Sequence, residues 1–113
     1  MRRYVAVLAI LALLLPVVAM AAVGLTTASL TAENTFCTAV VIKGKFNFSL
    51  SGTWAATVFL QRSFDSGTSW LDIASYTANT QLVGEEVEAG VRYRFGVKTG
   101  GYTSGTVVGR ISY

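Results

Sequence analysis

Hydrophobic and polar residues alternate along most of the chain after residue 32, which is the pattern of strands with one buried face. In the clearest example, Arg92, Arg94, Gly96 and Lys98 alternate with the apolar residues Val91, Tyr93, Phe95 and Val97. No stretch in this part has the 3.6-residue spacing of an amphipathic helix. The pattern therefore predicts an all-β domain.

About seven short strands are predicted, in addition to a first segment, 26–32, that fits either a short strand or an arm. They cover residues 36–42, 45–51, 54–62, 70–76, 80–83, 91–98 and 106–113. Gly44 is expected to end a strand, Gly84 to open an acidic loop with Glu85 and Glu86, and 100–105 to form a flexible turn. Strands at this spacing favour a two-sheet sandwich over a barrel with a ligand cavity.

The segment from Ser63 to Trp70 is predicted to be a hairpin between two of these strands. Its pattern, Ser-x-Asp-x-Gly-x-Ser-Trp, resembles the Asp-box of sialidases and of unrelated β-proteins. The Asp65 side chain can accept hydrogen bonds from turn amides, and Gly67 can supply a positive φ. A sialidase needs several such hairpins on propeller blades, and one copy in 113 residues cannot form a propeller. We therefore expect a structural turn built by Ser63, Asp65, Gly67 and Trp70.

The first residues have the form of a secretory leader. Arg2 and Arg3 precede an uncharged, largely aliphatic run, Pro16 interrupts it, and the small residues around Met20 suit cleavage after Ala21. We expect a signal peptide or hydrophobic helical leader at 1–21, an N-terminal arm at 22–35 and a β-sandwich domain at 36–113. Two alternatives stay open: residues 4–25 form an uncleaved membrane anchor, or translation begins at Met20.

The net charge and the single cysteine do not indicate a nucleic-acid partner or a disulfide. The whole chain has a formal net charge of +3, but without Arg2 and Arg3 seven basic residues face six acidic ones, so no specific nucleic-acid partner is expected. Cys37 is the only cysteine, which rules out an intrachain disulfide. It is expected to be buried and inert, and an intermolecular disulfide is the alternative.

We predict no enzyme, no metal site and no cofactor. The chain has no histidine, the commonest general base and metal ligand. The acidic trio Glu85, Glu86 and Glu88 lacks the spacing of a calcium loop and fits a solvated loop better. Asp65 is assigned to the turn and Asp72 to the polar face of a strand.

A contact surface is the candidate site that remains. We expect it on the basic face of the strand at 91–98, with Arg110 from a neighbouring last strand, because outward cations can bind an acidic partner or protect a sheet edge. Tyr102 and Phe59 are candidate exposed aromatic anchors. The candidate contact residues are Arg92, Arg94, Lys98, Arg110, Tyr102 and Phe59.

Two family resemblances sharpen the fold. The run from Glu88 to Val97 resembles the penultimate strand of fibronectin type III and related immunoglobulin-like domains, with Tyr93 at the place of the tyrosine that ties a corner to the strand. The order of segments from Gly44 to Tyr113, with the preceding 27–36, resembles a family of small virion-associated β-sandwich proteins of tailed phages and prophages. That resemblance implies no catalytic residues and a role in decorating heads or forming tails or fibres.

The expected function is a non-enzymatic phage-type structural or binding module attached to a larger assembly, with a homo-oligomer as an open alternative. The competing expectation is a secreted or membrane-anchored bacterial adhesion or carbohydrate-binding domain. The location follows the leader: virion if translation starts at Met20, and otherwise secreted or anchored through residues 4–25.

Overall fold

The computed structural model describes residues 24–113, which form an antiparallel sheet of seven strands without a helix. The strands are β1 (Leu25–Leu30), β2 (Thr35–Phe36), β3 (Val40–Ser51), β4 (Trp54–Ser63), β5 (Leu71–Tyr76), β6 (Thr80–Gly105) and β7 (Val107–Ser112). The all-β prediction is confirmed. The helical leader predicted at 1–21 lies outside the described residues.

The strand order is β1-β7-β3-β6-β4-β5, and β2 pairs with β6 beside β3. Hydrogen bonds thus join all the strands in one sheet, because β6 is long enough to pair with β3 near its start and with β4 near its end. Between residues 92 and 97 it has β4 on one side and, on the other, β3 at 92–93 and β2 at 96–97. Tyr93, for example, lies opposite Val40 of β3 and Arg62 of β4.

The sheet curls so that its two halves face each other across the core. The ring of Phe48 on β3 lies 5.7 Å from Phe95 on β6 and 5.6 Å from Tyr76 on β5, the strand at the far edge. Alternation puts nearly every second side chain of β3, and of β6 between residues 91 and 97, into this core. Each fully buried Val, Leu, Ile or Phe contributes about 1.5–3 kcal/mol through removal from water. The core residues are Leu30, Cys37, Val40, Ile42, Phe46, Phe48, Leu50, Val58, Leu60, Val91, Tyr93, Phe95, Val97, Val107 and Ile111.

Several predicted strand ends are irregularities inside longer strands. Gly44, with φ of 92°, lies within β3, and the register passes from the Ile42–Val91 pair to the Gly44–Glu86 pair. Residues 87–90 therefore bulge out opposite Lys43. Likewise 98–101 bulge out opposite Thr57, because Ala56 pairs with Tyr102 and Val58 with Val97. The predictions of an acidic loop at 84–86 and a flexible turn at 100–105 were wrong. Both segments belong to β6, and the bulges interrupt this strand but do not end it.

The first strand is also part of the sheet. Residues 25–30, in the segment predicted as an arm, pair in unbroken register with β7, from Leu25 opposite Ser112 to Leu30 opposite Val107. Leu30 is buried, and the hydroxyl of Thr26 donates a hydrogen bond to the carbonyl of Thr38 at 2.9 Å. This part of the arm is an edge strand.

A buried carboxylate fixes the bulge at 87–90. Glu86 is only 4% exposed and accepts hydrogen bonds from the Tyr93 hydroxyl at 2.7 Å, the Glu88 N–H at 3.1 Å and Arg62 Nη1 at 3.1 Å. Burial opposes its charge, but these hydrogen bonds outweigh burial and lower the pKa of Glu86. Burial, with the hydrogen bond to Glu86, raises the pKa of Tyr93 to about 12. Tyr93 thus ties the bulged segment to the strand through the Glu86 carboxylate.

A substitution at Gly109 on β7 can test the contact between the two halves of the sheet. A Cβ at this position would lie 2.2 Å from the ring of Phe95. We predict that Gly109→Ala lowers the free energy of unfolding by roughly 1–3 kcal/mol, because the ring must leave its packed position. The neighbouring Val108→Ala, which changes an outward side chain, is the control, and urea unfolding is the measurement. An equal loss in the two variants would contradict the packing described.

Candidate functional site

The candidate site lies on the outward face of β6, β4, β5 and β2. Because Tyr93, Phe95 and Val97 point into the core, Arg94 and Lys98 point away from it. Gln61 of β4 lies opposite Arg94 in the register. We call this the Arg94 surface; it consists of Phe36, Phe59, Gln61, Trp70, Asp72, Arg94 and Lys98.

Arg94 is held between two aromatic rings. Its guanidinium carbon is 3.9 Å from the centre of the Phe36 ring and 4.2 Å from that of the Trp70 ring. Phe36 comes from β2 on one side of β6, whereas Trp70 follows the β4–β5 hairpin on the other side. Arg94 Nε donates a hydrogen bond to Gln61 Oε1 at 2.8 Å. Stacking and this bond together fix the plane of the guanidinium.

Lys98 forms a second cation–ring pair on the same surface. Its ammonium lies 4.1 Å from the centre of the Phe59 ring and forms an ion pair with Asp72. Asp72 Oδ1 also accepts a hydrogen bond from Gln61 Nε2 at 2.8 Å. Lys98 first, and Gln61 second, lower the pKa of Asp72. Because the ion pair is well exposed, its contribution to stability is small, but it connects Lys98 through Gln61 to Arg94.

Gly96 makes room for Phe36. A Cβ at Gly96 would lie 2.2 Å from Phe36 Cδ1 and 2.5 Å from the carbonyl oxygen of Thr35. The outward face of β6 is therefore bare backbone at this position, and the ring of Phe36 lies on it beside Arg94. An open groove of about 550 Å³ results, lined by Asn34, Phe36, Gln61, Trp70, Arg94, Lys98 and Thr99.

The hairpin predicted from Ser63 to Trp70 is present and positions Trp70. Ser63 is fully buried; its hydroxyl donates to Asp65 Oδ1 at 2.7 Å and accepts from the Gly67 N–H at 2.8 Å. Asp65 accepts from the N–H of Ser69 at 2.9 Å and from the Ser69 hydroxyl. Gly67 has φ of 91°, the left-handed conformation that glycine tolerates. The assignment of Ser63, Asp65 and Gly67 to a turn agrees with this geometry.

Of the other predicted contact residues, only Phe59 belongs to the Arg94 surface. Arg92 is on the same outward face of β6 as Arg94, but no ring among residues 24–113 stacks on it. Arg110 is not beside β6, because β7 lies between β1 and β3; it borders a second groove of about 430 Å³ with Asn47, Ser49 and Gln81. Tyr102 is half-buried and its hydroxyl donates to the Gly105 carbonyl at 2.8 Å. Phe59 joins the Arg94 surface through Lys98.

Four members of the surface were not predicted as contact residues: Phe36, Gln61, Trp70 and Asp72. Phe36 was assigned to the start of a strand and Asp72 to a polar strand face. Gly96 was the one feature of the sequence that could have indicated an aromatic neighbour. A glycine between outward-facing cations leaves a gap that an aromatic side chain from a neighbouring strand can cover. Nothing in the spacing identifies Phe36 as that side chain.

The described residues show no clustered metal ligands. Within 24–113 no group of three or more His, Cys, Asp or Glu side chains is placed to hold an ion. Cys37 is buried, its Sγ accepts a hydrogen bond from the Phe95 N–H at 3.3 Å, and burial raises the pKa of the thiol. In the same part of the chain, no helix has the length and apolar character needed to cross a membrane.

Comparison with known proteins adds no assignment. No protein-family model, no curated protein and no solved structure gives a significant match to the chain.

Asp65 gives the hairpin a measurable pH dependence. Hydrogen bonds, chiefly from Ser69, lower its pKa from 3.8 to about 2. A pKa lowered by folding means that the ionised carboxylate stabilises the folded state above 3.8, and that this contribution is lost as the pH falls towards 2. We predict that Asp65→Asn, which keeps an acceptor oxygen but removes the charge, shows a shallower loss of unfolding free energy over this range. Urea unfolding at successive pH values is the measurement.

The matched control is Asp65→Ala, which removes both acceptor oxygens. It should lose more stability than Asp65→Asn near neutral pH and show the same shallower pH dependence. If either variant loses unfolding free energy with falling pH as steeply as the wild type, the Asp65 carboxylate is not the source of the pH dependence.

Proposed function

We propose that the protein is a non-enzymatic attachment module: a small structural component that binds to a larger protein assembly of the phage type, such as the head, tail or fibre of a virion. The observation that carries the proposal is the Arg94 surface. Its cations are oriented by rings and hydrogen bonds before any partner arrives, so little side-chain entropy is lost on binding. Cations that serve only solubility need no such support.

The resemblance of residues 44–113 to the phage family supports the same role, because its proteins are virion components. The same proposal extends to the fold, which we group with immunoglobulin-like sandwiches. In support, the ring of Phe48 meets Tyr76 from the opposite half of the sheet, as side chains of two packed sheets do.

The second candidate is a secreted or membrane-anchored adhesion or carbohydrate-binding domain. Two observations favour it: the leader-like sequence at 1–21 and the ring of Trp70 in an open groove, where a sugar ring could stack. The two candidates differ in where the protein is found and in its first residue.

The test is to induce particle release from cells that carry the gene, separate the particles on a density gradient and quantify this chain by mass spectrometry. We predict that it sediments with the particles, at a constant ratio to the major particle protein, with a terminal peptide that begins at Met20 or Ala21. In a strain that cannot assemble particles, the chain should stay at the top of the gradient. Export free of particles, with a chain that begins at Ala22, would overturn the proposal in favour of the second candidate.

A further inference from the structure

We infer that the Nη1 and Nη2 groups of Arg94 bind a carboxylate side chain, aspartate or glutamate, of the protein to which the module attaches. The inference rests on the proposed function, because it names the chemistry of the partner at the same surface. Its evidence is the geometry of the guanidinium, the charges around it and the shape of the groove.

Two rings and one hydrogen bond already occupy part of the guanidinium. The Phe36 and Trp70 rings lie 3.9 and 4.2 Å from its central carbon, and Gln61 Oε1 accepts the hydrogen bond from the Nε–H, so the two Nη groups are the donors left for a partner. Among residues 24–113, the Arg94 side chain donates its hydrogen bond through Nε, and because no buried side-chain nitrogen there lacks a partner, its unbonded Nη groups are open to solvent. Parallel N–H bonds along one edge of a guanidinium match the two oxygens of a carboxylate.

The charges nearby leave Arg94 without an ion-pair partner in the described chain. Asp72 is bonded to Lys98 and Gln61, and the carboxylate of Glu33 accepts from the Gly100 N–H at 2.6 Å. Burial lowers the pKa of Arg94, so a carboxylate beside it would replace lost hydration.

The balance of charge favours a carboxylate over a phosphate. Lys98 is the other cation that lines the groove, and Asp72 already neutralises it. Arg92 is on the same strand face but does not line the groove. One cation without an ion pair is therefore left in the groove, and it matches the single charge of a carboxylate better than the double charge of a phosphate.

The shape of the groove suits a side chain that projects from a protein surface. The groove is open, and at about 550 Å³ it has room for a single acidic side chain beside Arg94. Asn34 and Thr99 also line it and offer an amide and a hydroxyl for further hydrogen bonds.

The experiment uses the fluorescence of Trp70, which becomes the only tryptophan in the Trp54→Phe variant. In this background the protein is titrated with the capped peptide Gly-Glu-Gly-Glu-Gly and with its glutamine counterpart. We predict saturable binding of the glutamate peptide alone. Arg94→Lys, which keeps the charge but loses the fork, should weaken binding about tenfold, whereas the matched control Arg92→Lys on the same strand face should change it less than about twofold.

Several results would overturn the inference: equal binding of the two peptides, unchanged binding in Arg94→Lys, or tighter binding of sialic acid or inorganic phosphate than of the glutamate peptide. If Arg94→Lys does not fold, as judged by circular dichroism, the wild-type protein is titrated by nuclear magnetic resonance. The Arg94 Nε–H signal should then move with the glutamate peptide and not with the glutamine peptide. No movement would equally overturn the inference.

This experiment and the gradient experiment fail separately. If the protein sediments with particles but does not bind the glutamate peptide, the proposed function stands and the carboxylate site is wrong. If the protein binds the peptide through Arg94 but does not sediment with particles, the carboxylate site stands and the proposed function is wrong.

Discussion

The structure depends on the pairing of β6 (Thr80–Gly105) along both of its edges between residues 91 and 97. On one edge lie β3 and then β2, and on the other lies β4, so this one segment joins the two halves of the sheet. Its inward side chains, Val91, Tyr93, Phe95 and Val97, are at most 3% exposed. The bulges at 87–90 and 98–101 flank the segment and shift the register there, and they allow one strand to continue through both halves of the sheet.

The same segment builds the candidate site. Strand alternation that buries Tyr93 and Phe95 obliges Arg94 to point outward, and the neighbours on the two edges supply the rings that cover it. Phe36 comes from β2 and Trp70 from the end of the Asp65 hairpin. The hairpin thus has a structural role that also serves the site, because it sets Trp70 beside Arg94. Core, turn and surface therefore depend on one another through a short piece of backbone.

Much of this was accessible from sequence. Alternation identified the inward face of the segment at 91–98, and the pattern around Asp65 identified the hairpin, because both signals are local. The joining of 80–83 and 91–98 into one strand was not accessible: Gly84 and three nearby glutamates have the composition of a loop. Glu86 instead finds Tyr93 and Arg62, and only the folded pairing brings the arginine within reach. For the same reason the sequence indicated Arg94 as a contact residue but did not indicate its partners Phe36, Gln61 and Trp70.

Native-state hydrogen exchange tests the central claim about β6 most directly. If residues 91–97 join the two halves, their hydrogen-bonded amides can exchange only when the whole domain unfolds, and their opening free energy will equal the global free energy of unfolding. Amides of the edge strands β1 and β5 will exchange faster, through local opening. Faster exchange at 91–97 than in β1 and β5 would contradict the account, because the two halves of the sheet would then separate without unfolding the domain.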